Sequence, residues 1–192
     1  MKFIMEHLEP ELYDWCLIEY EHISKIVGKD NLIFTNIKSK KDENRLKKYG
    51  MVYKKGISEL DFEKICVLSQ YSEKTLETKD KNNFECFAFG GILGDNPAKK
   101  RTIGLTKGME KKGIKFETRN LGDKQMPTDT AVYVTKKILD GKKLGDFKFV
   151  DELEIEINEN ESVNLNFRFA VDGGKPVISP KLVNYLRKKD GF

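Results

Sequence analysis

Three short stretches combine glycine, proline and small polar residues in a way that suits backbone contact with a small molecule. They are Ser69-Gln70-Tyr71, Gly90 to Asn96, and Leu121 to Thr128. The third is the densest, running Arg119-Asn120-Leu121-Gly122-Asp123-Lys124-Gln125-Met126-Pro127-Thr128-Asp129. Gly122 supplies the conformational freedom that a close approach of backbone to ligand requires. Pro127 biases Met126 toward an extended conformation and suits the first position of a helix. Asp129 then falls in the first helical turn, where a carboxylate complements the helix dipole. No G-x-x-x-x-G-K-[ST] is present, and no G-x-G-x-x-G follows the first strand. The expected chemistry is therefore recognition of a ligand without phosphates, by peptide groups.

Residue types for other chemistries are scattered. His7 and His22 stand apart, and Cys16, Cys66 and Cys86 each lie among apolar or aromatic neighbours without a C-x-x-C pair. Buried reduced thiols are expected, and no metal. The chain has 192 residues, with 35 Lys and Arg against 31 Asp and Glu, for a net charge of +4. That length fits one domain, with a small appendage at most. The lysine pairs are dispersed and read as a solvated surface, so a nucleic-acid partner is permitted but not required. With neither a signal peptide nor a membrane-length apolar run, a cytoplasmic, membrane-free protein is expected.

The elements that must position the three loops follow from periodicity. Lys2 to Glu6, Asn31 to Ile37, Ile65 to Leu68, Phe84 to Phe89 and Ile114 to Phe116 read as strands. A helix is expected to open at Pro10 and stop at Gly28, with Leu12, Trp15, Cys16, Ile23, Ile26 and Val27 on its apolar side. Further helices are expected around Asp42 to Tyr49, from Pro97 to about Lys112, and from Pro127 to Leu139. Strands alternating with helices imply a mainly parallel sheet, so the three loops leave one carboxyl edge, where open α/β sheets bind ligands. From Phe147 the style changes. Leu153, Ile155 and Ile157 alternate with charged or polar residues, Asn166 to Val171 reads as the hairpin partner, and Ser179-Pro180 opens a last helix. The expected division is an α/β body over 1–146 and an antiparallel appendage over 147–192.

Several of these residues resemble one family closely: F-G-G-I-L-G-D-N-P at 89–97, R-T at 101–102, L-G-D-K-Q-M-P-T-D-T-A at 121–131, M-K-F-I-M-E-H at the start, and F-R-F-A-V-D-G-G-K-P at 167–176. The resembled family is a SPOUT-class group of S-adenosylmethionine-dependent methyltransferases. Its eukaryotic relative is a protein-arginine methyltransferase acting on a small-subunit ribosomal protein. The resemblance implies a SPOUT-type α/β fold with a trefoil knot at the carboxyl edge, a path otherwise almost never seen. It implies S-adenosylmethionine as cofactor, with Leu121, Gly122, Lys124 and Met126 holding adenine through backbone contacts. Gly90, Gly91 and Gly94 would close on ribose and methionine, and Ser69 with Gln70 would occupy the third loop. It also implies a monomer in preference to a dimer formed through the knot.

An arginine acceptor sets a particular demand. A guanidinium stays protonated and is a poor nucleophile, so carboxylates must grip it and take a proton as the transition state forms. Asp95 and Glu6 are the candidates, with Asp123 embedded in the knot loop and more structural. Arg101 and Arg119 are left to face either a cofactor carboxylate or an RNA phosphate. Glu152, Glu154, Glu156 and Glu159 form an acidic face suited to a basic ribosomal protein. Methylation of a tRNA or rRNA base is the alternative, and a non-catalytic module binding RNA or ribosomes is a further one.

Overall fold

The run Lys2–His7 forms β1, which in the computed structural model, describing residues 1–91 and 101–188, lies inside a parallel sheet. The chain continues through α1 (Asp14–Val27), β2 (Leu32–Thr35), α2 (Lys40–Leu46), β3 (Met51–Val52) and β4 (Ile65–Leu68). Next come α3 (Asp80–Asn83), β5 (Cys86–Gly91), α4 (Arg101–Lys111), β6 (Phe116–Arg119) and α5 (Thr128–Leu139). The strand order is β3-β2-β1-β5-β4-β6, and every neighbouring pair is parallel. All carboxyl ends therefore meet at one edge. All four residues of β4 are buried, which is why its sequence is continuously apolar rather than alternating.

Each face of the sheet carries its own core. Phe3, Met5, Cys66, Phe87 and Phe89 point to the face covered by α1 and α5, with Cys16, Tyr20, Ile23, Val132 and Ile138 packed on them. Ile4, Ile33, Ile65, Val67 and Ala88 point the other way, against Leu105 and Met109 of α4. Phe87 is fully buried, a contribution of about 1.5–3 kcal/mol. The three cysteines are buried free thiols. No helix among the described residues is long and apolar enough to cross a membrane.

The chain leaving β6 passes under a strap formed by residues 72–78. Asn120 N–H donates to Lys74 O (2.8 Å) and Leu76 N–H to Asn120 O (3.0 Å), while Thr78 Oγ1 donates to Ile138 O at the far end of α5. A trefoil path needs a crossing of this kind.

Beyond α5 the chain forms β7 (Lys148–Val150), β8 (Leu153–Asn158), β9 (Glu161–Leu165), β10 (Phe169–Asp172), β11 (Lys175–Pro176) and α6 (Pro180–Lys188). β11, β10 and β7 make an antiparallel sheet, and β8 pairs with β9. Ile155, Leu165, Phe167, Phe169, Leu182 and Leu186 form a third core, joined to the first through Trp15.

Several boundaries differ from expectation, with β2 shorter than Asn31–Ile37 and β5 running Cys86–Gly91 rather than Phe84–Phe89. Pro10 does not open α1, which starts at Asp14 behind Tyr13, although Leu12 still enters the core. α2 begins at Lys40 because Ser39 Oγ accepts from Asp42 N–H and caps it early. β6 sits later than Ile114–Phe116, its pairing to β4 running from Ile65–Phe116 to Leu68–Arg119. The partner of β8 is β9, not Asn166–Val171. Asn158 closes the turn with its own side chain, accepting from Asn160 N–H at 2.9 Å. Pro97 lies outside the described residues.

Gly50 is required by a close approach. An added Cβ would come within 2.6 Å of Leu32 O, a backbone atom that cannot swing away. Gly50→Ala should cost about 1–3 kcal/mol, read by chemical denaturation.

Candidate active site

The parallel sheet brings the strand ends from which the expected loops leave to a common edge. Glu6 lies opposite Gly90, and His7 opposite Gly91, in the β1–β5 register. Next to β5, β4 ends at Leu68 opposite Arg119, so Ser69 and the segment from Asn120 leave side by side. Ser69 N–H donates to Arg119 O (2.9 Å), and Ser69 Oγ accepts from Tyr71 N–H. Gly94 and Asp95 lie outside the described residues.

The third loop is held from both sides and left open in the middle. Asn120 Oδ1 accepts from Gly122 N–H at 3.0 Å, and Asn120 Nδ2 donates to Ser72 O at 2.8 Å. Gly122 has φ of +98°, a conformation that a side chain would strain. Leu121 and Met126 pack into the α1/α5 core. At the end of the loop, Gln125 O accepts from Arg168 N–H at 2.9 Å. Among the described residues nothing bonds the peptide N–H of Leu121, Lys124 or Met126. Peptide groups that no described residue bonds are what a ligand held by backbone contacts needs, so these residues fit an adenine-bearing cofactor. A small apolar cavity of about 20 Å³ lies behind Pro127, between Trp15, Phe167 and Phe169. It is far too small for such a molecule.

Lys124 also has a side-chain role. Its ammonium pairs with Asp151, which accepts from Arg168 Nε at 2.6 Å, and Arg168 in turn approaches the well-exposed Asp123 at 3.7 Å. Arg168 and Lys124 hold Asp151 down to about 2. This network fastens the strands after β7 to the loop. Arg168 was visible as the charged centre of F-R-F, but its partners were not.

Glu6 is buried at the end of β1 on the α4 side of the sheet, the side of Ile4. Its Oε2 accepts from the Thr35 hydroxyl and from Ile57 N–H (2.9 Å). Its Oε1 lies against Gly56, where an added Cβ would come within 2.7 Å. Burial pushes the Glu6 carboxyl above its ordinary value, more than the two hydrogen bonds pull it down. The result is a fixed carboxylate with raised proton affinity at the ligand edge.

Arg119 does not face a cofactor or phosphate. It is buried, donating through Nε and Nη2 to the two oxygens of Asp80, both at 3.1 Å, and through Nη1 to Glu117 at 3.0 Å. Phe84 lies under its guanidinium. The second arginine, Arg101, starts α4, and its side chain is not described.

A cluster with no signature in the sequence joins α1 to α5. Asp129 is buried and bonded to His22 Nδ1 at 2.7 Å, so it is more than a helix-start residue, and its own N–H donates to Glu19.

With this geometry, a sequence model of the SFM1-like family, described as protein arginine N-methyltransferase SFM1-like, matches residues 2–191. The chain belongs to that family. It is 35% identical to protein arginine N-methyltransferase SFM1 of Saccharomyces cerevisiae, over 98% of this chain and 95% of the relative. The crystal structure of the yeast arginine methyltransferase SFM1 complexed with SAM superposes with a TM-score of 0.88. That match has 33% identity and covers 97% of this chain and 90% of the other. Trm10 from Thermococcus kodakaraensis is similar in fold alone, with a TM-score of 0.59 and 17% identity over 75% of this chain and 95% of the other. The SFM1-like chain thus has the SPOUT-type architecture, a parallel six-stranded sheet with small antiparallel sheets after it.

Proposed function

We propose that this chain is an S-adenosylmethionine-dependent methyltransferase that modifies an arginine of a basic ribosomal protein. Whole-length membership in the SFM1-like family carries the reading, and the peptide N–H groups of Leu121, Lys124 and Met126, which no described residue bonds, support it. The bound cofactor supplies an electrophilic methyl on a sulfonium. Leu121, Gly122, Lys124 and Met126 hold its adenine end, and Gly90 and Gly91 at the end of β5 allow close approach of its other half.

The remaining task falls to the acceptor side. A bond forms between a guanidinium nitrogen and the methyl carbon as the carbon–sulfur bond breaks, and the electron pair stays on sulfur. The nitrogen must also shed a proton. Glu6, placed beside Gly90 and braced by Thr35 and Ile57, orients the guanidinium and takes that proton. Fixed placement of the acceptor supplies much of the acceleration in such a displacement.

The outer face of β8 bears exposed Glu154 and Glu156, with Glu159 in the following turn. The segment feeding it is anchored through Asp151 to Lys124 of the cofactor loop. An acidic surface tied to the reaction edge favours a basic protein over RNA.

The test is transfer of labelled methyl groups from S-adenosylmethionine into ribosomal extract, divided between protease and nuclease treatment. Label in a basic ribosomal protein, released as methylarginine, is the expected result. Label destroyed by nuclease would replace the reading with RNA base methylation. Cofactor binding without transfer to any fraction would favour a non-catalytic module.

A further inference from the structure

The first peptide N–H groups of any α-helix lack partners within the helix and must be satisfied from outside. At α5 the residue in the capping position is Pro127, which has no side-chain acceptor and makes no cap. Glu19 of α1 fills the gap. Its Oε1 accepts from Asp129 N–H at 3.2 Å, and its carboxyl also receives Thr128 N–H. Glu19 is only 1% exposed. Asp129 is fixed in turn by Thr130 N–H on Oδ1 (2.7 Å) and by His22 Nδ1 on Oδ2. Because Glu19 and His22 lie one turn apart on α1, they grip the start of α5 together. That start is two residues beyond Met126, across the stiff Pro127.

We propose that Glu19 is a positioning residue for the cofactor loop, its carboxyl group on α1 capping α5 and so holding residues 121–126 in register with the ligand. The inference rests on the cofactor reading above and adds to it a residue that touches neither cofactor nor acceptor.

The clamp has a built-in pH dependence. Burial, then the adjacent charge of Asp129, raise the Glu19 carboxyl to about 8, against the pull of the two peptide N–H groups. The other titratable groups around it are His22 beyond Asp129, and Cys16 and Tyr20 on its own helix, whose ionisations burial pushes upward. The raised carboxyl keeps its proton to higher pH than a free glutamate does, and in that form it still offers a carbonyl-type oxygen to α5. The sign follows from a folded value above the ordinary 4.5. The favourable contribution is complete below about 4.5 and is lost as pH rises through the folded value. Above it, two like charges face each other at the root of the loop.

Calorimetric titration of the full chain with S-adenosylhomocysteine, from pH 6.5 to 9, tests this. Wild type should weaken about tenfold across that range. Glu19→Gln keeps an acceptor oxygen and cannot ionise, so it should change less than about twofold, which also controls for the ligand's own amino group. Glu19→Ala should bind weakly at every pH, with KM for the cofactor raised and kcat at saturation retained. Asp129→Asn, which removes the facing charge, should reduce the alkaline loss even if Glu19→Gln does not fold. Parallel losses in wild type and Glu19→Gln, or an undiminished loss in Asp129→Asn, would overturn the clamp. Wild type that binds no S-adenosylhomocysteine at any pH would overturn the cofactor reading and the clamp with it.

Discussion

Arg119→Ala should destabilise the fold by about 3–5 kcal/mol, because it strands Asp80 as a buried carboxylate without its partner. The pair is two-pronged, with both contacts at 3.1 Å, and Asp80 is almost wholly buried. Asp80 starts α3, between β4 and β5, while Arg119 ends β6, so the pair ties the helix that follows the strap to the strand that leads into the cofactor loop. Burial is the largest single influence and would raise the Asp80 carboxyl; the hydrogen bonds and charge of Arg119, with hydrogen bonds from Glu77 N–H and Asn83, together outweigh it and hold Asp80 below its ordinary value. The sign for a lowered value is that the stabilisation is present above the ordinary 3.8 and is lost as pH falls through the lower folded value. Chemical denaturation of wild type and Arg119→Ala at neutral pH reads the effect. Arg119→Lys should fall between them, since an ammonium keeps the charge but not the planar fork. A loss under about 1 kcal/mol in Arg119→Ala would return the residue to a role in binding.

Glu6→Gln should lower turnover by about a hundredfold or more while leaving S-adenosylhomocysteine affinity unchanged. The amide can still accept from Thr35 or Ile57, so the cradle survives, but it cannot take a proton from a guanidinium. Stability should move the other way from activity. Burial raises the Glu6 carboxyl, so its favourable contribution is complete below 4.5 and lost as pH rises through the folded value. At neutral pH Glu6→Gln should therefore melt no lower than wild type. Single-turnover transfer to the protein acceptor, with a parallel binding titration, separates chemistry from affinity. Transfer within twofold of wild type would make Glu6 a brace for Thr35 and Ile57 and move the proton-accepting role to another carboxylate, Asp95 first.

The places where local rules sufficed are those where one segment answers to its own neighbours. Ile65–Leu68 is continuously apolar because a central parallel strand is covered on both faces, and it forms β4 with those bounds. Gly28, expected to stop a helix, has φ of +81°, a conformation open to glycine without a side-chain clash. Pro127 and the small polar residues around it mark the entry to α5 correctly. The hairpin was misread because Phe167-Arg168-Phe169 has stronger strand character than Glu161-Ser162-Val163, and only the tight turn at Asn158 brings the weaker segment home.

By itself the sequence determined the alternation of strands and helices, the three loops at one sheet edge, the family, and through it the expected cofactor. Each of these is read from short runs of about a dozen residues or fewer, within which spacing translates directly into geometry. Tertiary structure alone decided the strand order, the pairing of Arg119 with Asp80 across 39 positions, and the capping of α5 by Glu19 across 110. The two long-range pairings depend on which buried polar group finds which partner. A buried polar group must be satisfied, but nothing in its own neighbourhood along the chain says by whom.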